Sequence, residues 1–196
     1  MLEPALALID FSSIAVGIEA ADAMVKQAQI TTLRAGTVQP GRYLVLIGGP
    51  VADVHESMAA GREIGGDAVL DHVFLPNVHP EVTRAIGGGR VPDVMDALGI
   101  IESATIAAAI RAADAGVKGA DVRLVEVRLA DGLGGKGVVL YSGLVANVET
   151  AVEIGVGVME RPELLVRRVV IPQLHPAMWE NVSDATRFSS RVLEQL

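Results

Sequence analysis

Apolar residues recur along the chain with two periods, one typical of buried strands and one typical of helices. Nearly continuous apolar runs at 6–10 and 98–102 predict buried strands. Each run is followed by apolar residues at helical spacing. These positions are Ile14, Ile18, Ala21, Val25 and Ala28 after the first run, and Ile106, Ala109, Ile110, Ala113 and Val117 after the second. The pattern therefore predicts a strand followed by a helix at two places in the chain.

The rest of each half continues in the same order of elements. Two strands around a tight turn are predicted at 31–38 and 43–47 and again at 122–130 and 138–141. Second helices follow at 51–63 and 145–157, with Asp53 and Asn147 as capping residue types near their starts. Last strands at 68–75 and 164–171 precede His79-Pro80 and His175-Pro176, after which a short helix is expected.

The two halves also align residue by residue, which indicates an internal duplication. Residues 7–10 (ALID) match 99–102 (GIIE) at an offset of 92, and the register then holds for about 25 residues. The offset becomes 94 where Gly41-Arg42 meets Gly135-Lys136, and 96 where 76–80 (PNVHP) meets 172–176 (PQLHP). Small loop insertions account for the drift.

The element order βαββαβ is the split βαβ pattern of ferredoxin-like sandwiches. We therefore predict an α+β fold, a tandem duplication in which the helices of each copy pack on a mostly antiparallel sheet. The expected divisions are a first domain at 5–86, a glycine-rich linker at 87–96, a second domain at 97–180 and a polar tail at 181–196.

Composition narrows the classes of function. Of the 196 residues 51% are hydrophobic, yet only 3% are aromatic, and no apolar stretch reaches the roughly 20 residues of a membrane span. With no signal-peptide pattern at the start, we expect a cytoplasmic protein that hides apolar surface by associating with itself. The absence of cysteine excludes disulfides, thiolate nucleophiles and cysteine-bound clusters, and a net charge of −8 argues against nucleic-acid binding.

No catalytic constellation is visible in the sequence. Residues 132–137 match G-x-G-x-x-G, but the match leads into a predicted strand where a dinucleotide site requires a helix. The four histidines lack metal-ligand spacing, which favours structural roles. Asp22 with Lys26 and Asp114 with Lys118 form acid-to-base pairs four residues apart, and they occupy the same position in both copies.

The segments around these pairs resemble a known family. Gly99-Ile100-Ile101-Glu102, Ala112-Ala113-Asp114 with Lys118, and the ending Ile171-Pro172-x-x-His175-Pro176 are similar to the signature of bacterial microcompartment (BMC) shell domains. The first copy carries a looser version, with Asp10 in place of the usual glutamate. Two fused, unpermuted copies resemble the tandem-domain, trimer-forming shell proteins, and most closely the T-type proteins of propanediol-utilisation compartments.

The resemblance implies a structural role in the compartment shell. Homotrimers would form pseudo-hexagonal discs that tile edge to edge with other shell proteins, with Asp22, Lys26, Asp114 and Lys118 at the disc edges. Small metabolites would cross a central pore, which the resemblance assigns to two turns. The expected pore-lining residues are Gln39, Pro40, Gly41, Leu133, Gly134 and Gly135.

Gln39 departs from the T-type shell proteins that the chain resembles. They carry there a cysteine that holds an iron–sulfur cluster on the trimer axis, whereas this chain has a glutamine, a poor cluster ligand. We therefore expect no cofactor and a neutral constriction.

Two alternatives to the shell role stay open at this level. One is a small-molecule-binding regulatory protein on a duplicated ferredoxin-like scaffold, because fold alone does not determine function. The other is an enzyme, which the missing nucleophile, base and metal constellation disfavours. We expect a protein without catalytic activity.

Overall fold

Each half of the chain folds into one α+β unit. The computed structural model describes residues 4–90, 96–130, 132–184 and 186. The first copy consists of β1 (Ala5–Phe11), α1 (Ile14–Gln27), β2 (Thr32–Val38), β3 (Arg42–Gly49), α2 (Val51–Gly65), β4 (Val69–Leu75) and α3 (Pro80–Ile86). The second consists of β5 (Ala97–Ser103), α4 (Ile106–Gly119), β6 (Arg123–Leu129), β7 (Gly137–Gly143), α5 (Val145–Gly157), β8 (Leu165–Pro172) and α6 (Pro176–Asp184). A single 3₁₀ turn precedes β4 and β8.

Both sheets have four strands and the same topology. Their orders are β2-β3-β1-β4 and β6-β7-β5-β8, and all neighbouring strands run antiparallel. The register repeats as well, since Ile9 lies opposite Val45 in the first sheet and Ile101 lies opposite Val139 in the second. The predicted duplication of a ferredoxin-like α+β unit is confirmed.

The two long helices of each copy pack on one face of its sheet and approach each other closely at a glycine. A side-chain carbon added at Gly61 of α2 would lie 2.4 Å from the Met24 sulfur of α1, and one at Gly155 of α5 would lie 3.1 Å from the Ala112 carbonyl oxygen of α4. Small residues at these crossings let the helix backbones come together. This packing explains how a core can form with few aromatic side chains.

The helix caps differ in part from the predictions. Ser13 and Thr105 cap α1 and α4, where their hydroxyls accept hydrogen bonds from backbone N–H groups. The expectation for Asp53 and Asn147 is wrong, because α2 and α5 begin after Pro50 and Leu144 without a side-chain cap. Asn147 instead donates its amide to the Asp121 carbonyl oxygen.

Both histidines that precede proline have structural roles, as predicted. His79 Nδ1 accepts from the Glu81 N–H at the start of α3, and His175 Nδ1 accepts from the Ala177 N–H at the start of α6.

Helix α6 reaches Asp184 and so extends into the predicted tail at 181–196. Residues 91–95 of the predicted linker, and 185 and 187–196 of that tail, lie outside the described residues. Within the described part of the chain, no helix is long and apolar enough to cross a membrane.

Candidate assembly surfaces and pore turns

The two predicted pore turns are brought together by one arginine. Gln39, Pro40 and Gly41 are exposed in the β2–β3 turn, directly before Arg42. The Arg42 guanidinium donates to the Gly135 carbonyl oxygen in the β6–β7 turn at 3.3 Å. It lies so close that a side-chain carbon at Gly135, whose φ is +87°, would approach it to 2.7 Å. Only glycine suits this position.

The rest of the β6–β7 turn is closed by backbone hydrogen bonds. The Leu133 N–H donates to the Ala130 carbonyl oxygen at 2.8 Å, and the Lys136 N–H donates to the Leu133 carbonyl oxygen at 3.2 Å. Leu133 is half-buried, whereas Gly134 is exposed at the tip. Residue 131 of this turn lies outside the described residues.

An ion pair lies next to each predicted pore turn, and sequence reasoning missed both. Arg42 Nη1 lies 3.1 Å from the Asp10 carboxylate, and Lys136 Nζ lies 2.7 Å from the Glu102 carboxylate. The signal was present in the repeat alignment, because the acids match at an offset of 92 and the bases at 94. In each copy the acid lies on the first strand, and the base lies at the start of the strand that follows the turn or directly before it.

The carboxyl group of Asp10 is completely buried, which changes its acidity. Burial raises the pKa of Asp10 to about 6, against the opposing effect of the Arg42 charge and hydrogen bond and with a small contribution from Asp71. Within the described residues, Asp10 Oδ1 has no hydrogen-bond partner. In the first ion pair the carboxylate is therefore fully buried and Arg42 is 22% exposed, whereas Lys136 and Glu102 are both partly exposed.

The two predicted edge pairs lie in different surroundings. Asp22 and Lys26 form an exposed pair on α1. Asp114 on α4 is only 5% exposed and lies at the junction between the copies. Its Oδ1 accepts from the His79 N–H at 2.8 Å, while Lys118 bridges Asp114 Oδ2 and the Asn77 carbonyl oxygen. The second pair thus joins the two copies of one chain, and the packing of either pair against a neighbouring disc stays a prediction.

The junction between the copies, called here the internal seam, is formed by α4 and β6 of the second copy against β4 and α3 of the first. Its edge is polar. The Glu81 carboxylate accepts from the Leu124 N–H at 2.7 Å, the Arg84 guanidinium donates to the Leu124 carbonyl oxygen at 2.8 Å, and Arg111 donates to the His72 carbonyl oxygen at 2.8 Å. Sequence reasoning did not locate this seam.

The surfaces that correspond to the internal seam are exposed elsewhere on the chain. Ile110 on α4 is 0% exposed, whereas its counterpart Ile18 on α1 is 53% exposed. Leu124 of β6 is 0% exposed and its counterpart Leu33 of β2 is 46% exposed. On the opposite side of the seam, Val82 of α3 is buried, whereas its counterpart Met178 of α6 is exposed. The chain therefore exposes two surfaces, each of which is the repeat counterpart of one side of the internal seam.

Comparison with known proteins identifies the family. The model of the BMC domain matches twice, at residues 5–78 and 97–174. The chain belongs to the BMC-domain family. It is 39% identical over 183 residues to the bacterial microcompartment shell protein PduT of Citrobacter freundii, a match that covers 93% of this chain and 100% of that protein.

Another curated protein and two solved structures match too. The carboxysome assembly protein CcmO of a Synechocystis strain is 27% identical over 187 residues, covering 88% of this chain and 62% of that protein. Among solved structures, a microcompartment protein from Desulfitobacterium hafniense superposes with a TM-score of 0.79 at 46% identity, over 90% of this chain and 98% of that one. A fused permuted hexameric shell protein, at 22% identity and a TM-score of 0.56 over 77% and 81%, shares the fold. These findings confirm the resemblance and do not support the regulatory alternative.

A cluster of the kind expected in related BMC proteins does not fit the residues present. The chain contains no cysteine, and the predicted pore turn offers the amide of Gln39 where a thiolate would be needed. Among the described residues, no group of three or more His, Asp or Glu side chains is arranged to hold a metal ion.

Proposed function

We propose that this BMC-domain chain is a structural shell protein of a bacterial microcompartment. Its homotrimers form pseudo-hexagonal discs with a central pore for small metabolites, and the discs tile with other shell proteins; the chain performs no catalysis. We infer the trimer from the internal seam and from the two exposed surfaces that correspond to the two sides of that seam.

The exposed halves are complementary because their counterparts already contact each other within the chain. The α1 and β2 surface, with Ile14, Ile18 and Leu33, corresponds to the seam half formed by α4 and β6. The β8 and α6 surface, with Val169 and Met178, corresponds to the half formed by β4 and α3. A head-to-tail contact between such surfaces forms a closed ring when a whole number of the rotations between neighbouring copies adds up to 360°. Six copies, contributed by three chains, complete that ring.

The polar partners repeat at the same places. Within the chain, Asp114 accepts from the His79 N–H and Lys118 donates to the Asn77 carbonyl oxygen. The repeat alignment makes His175 and Gln173 the counterparts of His79 and Asn77. In the trimer, Asp22 and Lys26 of one chain therefore contact the backbone at His175 and Gln173 of the next. The exposure of Asp22 and Lys26 in the single chain agrees with this role.

The same operation builds the pore. Arg42 contacts Gly135 within the chain, so Lys136, its counterpart, contacts Gly41 of the next chain. The six turns then surround the axis, with Gln39, Pro40 and Gly134 at the exposed tips. A ring of three Gln39 amides is neutral and can both donate and accept hydrogen bonds. Such a constriction suits small polar molecules.

Substitution of Ile18 tests the trimer. Sedimentation of the wild-type protein is expected to give a trimer, and Ile18→Arg is expected to give monomers, because a charge is placed in an apolar contact. Ile64→Arg on α2 is the matched control, since Ile64 and its counterpart Val158 are both exposed and neither belongs to the seam. A monomeric wild-type protein, or a trimeric Ile18→Arg variant, would contradict the proposal.

A further inference from the structure

A small cavity lies in the first copy on the side of the sheet away from α1 and α2. It occupies about 150 Å³ between the sheet and α3. Its walls are mainly apolar, and Leu6 of β1, Leu46 of β3, Val78, Ile86 of α3 and Thr83 of α3 contribute to them. None of these residues belongs to the proposed pore turns or to the Asp22 and Lys26 pair.

The second copy has the same walls, but the space between them is filled. Leu98, Leu140, Leu174 and Val182 are the counterparts of Leu6, Leu46, Val78 and Ile86, and they pack around Trp179 of α6. Trp179 is 4% exposed and corresponds in the repeat to Thr83. In the second copy the Trp179 indole therefore fills this space, whereas in the first copy the short Thr83 side chain leaves it open.

Thr83 also provides a polar group that nothing in the described part of the chain satisfies. Its hydroxyl oxygen is inaccessible to solvent and has no hydrogen-bond partner there. Leaving such a group unpaired in an apolar site is costly, so a bound molecule that hydrogen bonds to it gains affinity. Apolar cavities of about this volume bind benzene-sized molecules.

We propose that this cavity, called here the Thr83 site, is a binding site for a compact hydrophobic molecule of about the size of indole that carries one hydrogen-bonding group. The apolar body lies between Leu6, Leu46 and Ile86, in the place that the Trp179 side chain takes in the second copy. The polar group of the ligand hydrogen bonds to the Thr83 hydroxyl. The site is separate from the pore and exists once per chain.

Titration calorimetry of the assembled wild-type protein with indole tests the Thr83 site. One indole is expected to bind per chain, and Thr83→Trp is expected to abolish binding because the new side chain fills the space. The melting temperature of Thr83→Trp should rise by on the order of 3 °C, since a cavity is removed. Thr83→Val, which keeps the shape and removes the hydroxyl, should weaken binding about 2- to 10-fold.

A substitution in the second copy tests the same inference in the opposite direction. Trp179→Thr opens the equivalent space in the second copy, so the stoichiometry should rise from one to two indoles per chain. If this variant does not fold, the Thr83→Trp result decides alone. Absence of saturable binding to the wild-type protein, or unchanged binding to Thr83→Trp, would overturn the proposal. Sedimentation of each variant shows whether the trimer is intact, so that a loss of indole binding is distinguished from a loss of assembly.

Discussion

The carboxylate of Asp114 accepts a hydrogen bond from the backbone N–H of His79 at 2.8 Å, across the internal seam. Lys118 joins the same carboxylate to the Asn77 carbonyl oxygen. The acid-to-base pair of the second copy thus holds the two halves of one chain together. The pair of the first copy, Asp22 and Lys26, is identical in sequence but exposed.

This difference predicts unequal effects on stability for two equivalent substitutions. Asp114→Ala should lower the free energy of unfolding of the chain by about 1–3 kcal/mol, because it leaves a buried N–H group unsatisfied. Asp22→Ala should leave that free energy unchanged. Urea unfolding in the Ile18→Arg background measures both without a contribution from association. Equal losses in the two variants would contradict the assignment of Asp114 to the internal seam.

Substitution of Lys26 or Lys118 is expected to affect the formation of sheets and not the formation of trimers. Lys26→Ala and Lys118→Ala should impair the formation of sheets, seen by electron microscopy, while sedimentation still detects trimers. The trimer survives because its contact is mainly apolar and a partly exposed ion pair contributes little. Glu56→Ala is the control, since Glu56 is exposed on α2, away from the internal seam and from the proposed pore turns. If both lysine variants form normal sheets, the prediction that Lys26 and Lys118 lie at the disc edge is wrong.

Asp10 predicts a specific pH dependence. Its pKa is about 6 in the folded protein, above the ordinary value of 3.8, so the folded state binds the proton more tightly than the unfolded state does. The contribution of Asp10 to stability therefore falls as the pH rises from about 4 to about 6, by up to about 3 kcal/mol. Asp10→Asn should lose this dependence and be more stable than the wild-type protein at pH 7.

Urea unfolding between pH 4 and pH 8 measures the Asp10 effect as the difference between wild type and variant. Asp67→Asn, at an exposed carboxylate, serves as the control and should follow the wild-type curve. Parallel curves for wild type and Asp10→Asn would show that burial of Asp10 does not affect its proton affinity.

Gln39 in the β2–β3 turn predicts the outcome of cluster reconstitution. Anaerobic treatment with iron and sulfide should give no stoichiometric visible band in the wild-type protein, because Gln39 is not a cluster ligand. Gln39→Cys places three thiolates around the proposed axis and should gain such a band. A cluster band in the wild-type protein would overturn the prediction of a neutral constriction.

The fold could be predicted in detail from the sequence because both copies repeat the same periodicity. The expected helix at 145–157 matches α5, and the expected strands differ from the observed ones by a few residues at their ends. Helix capping shows the limit in both copies: at Asp53 and Asn147 the residue type suggested a cap, and the chain enters the helices through Pro50 and Leu144 instead. Capping depends on backbone direction at the entry, which residue type alone does not encode.

The internal seam could not be predicted, because α1 and α4 have the same helical spacing of apolar residues. Ile18 and Ile110 are the same residue type at the same repeat position, yet one is exposed and the other is buried. Their burial depends on which other element covers them, and that is a long-range property. The ion pairs behind the pore turns could have been found, since acid and base align between the copies at Asp10 with Glu102 and at Arg42 with Lys136.

The covalent connection between the two copies changes how the proposed ring can form and diverge. The contact of Asp114 with His79 closes within one chain, at a local concentration fixed by the connecting segment and independent of the amount of protein. Dilution therefore weakens only alternate contacts of the ring. Because the copies are inherited together, neighbouring positions around the axis can also carry different residues, such as Gln39 beside Leu133, in strict alternation. A ring of six identical chains has no means of fixing that order.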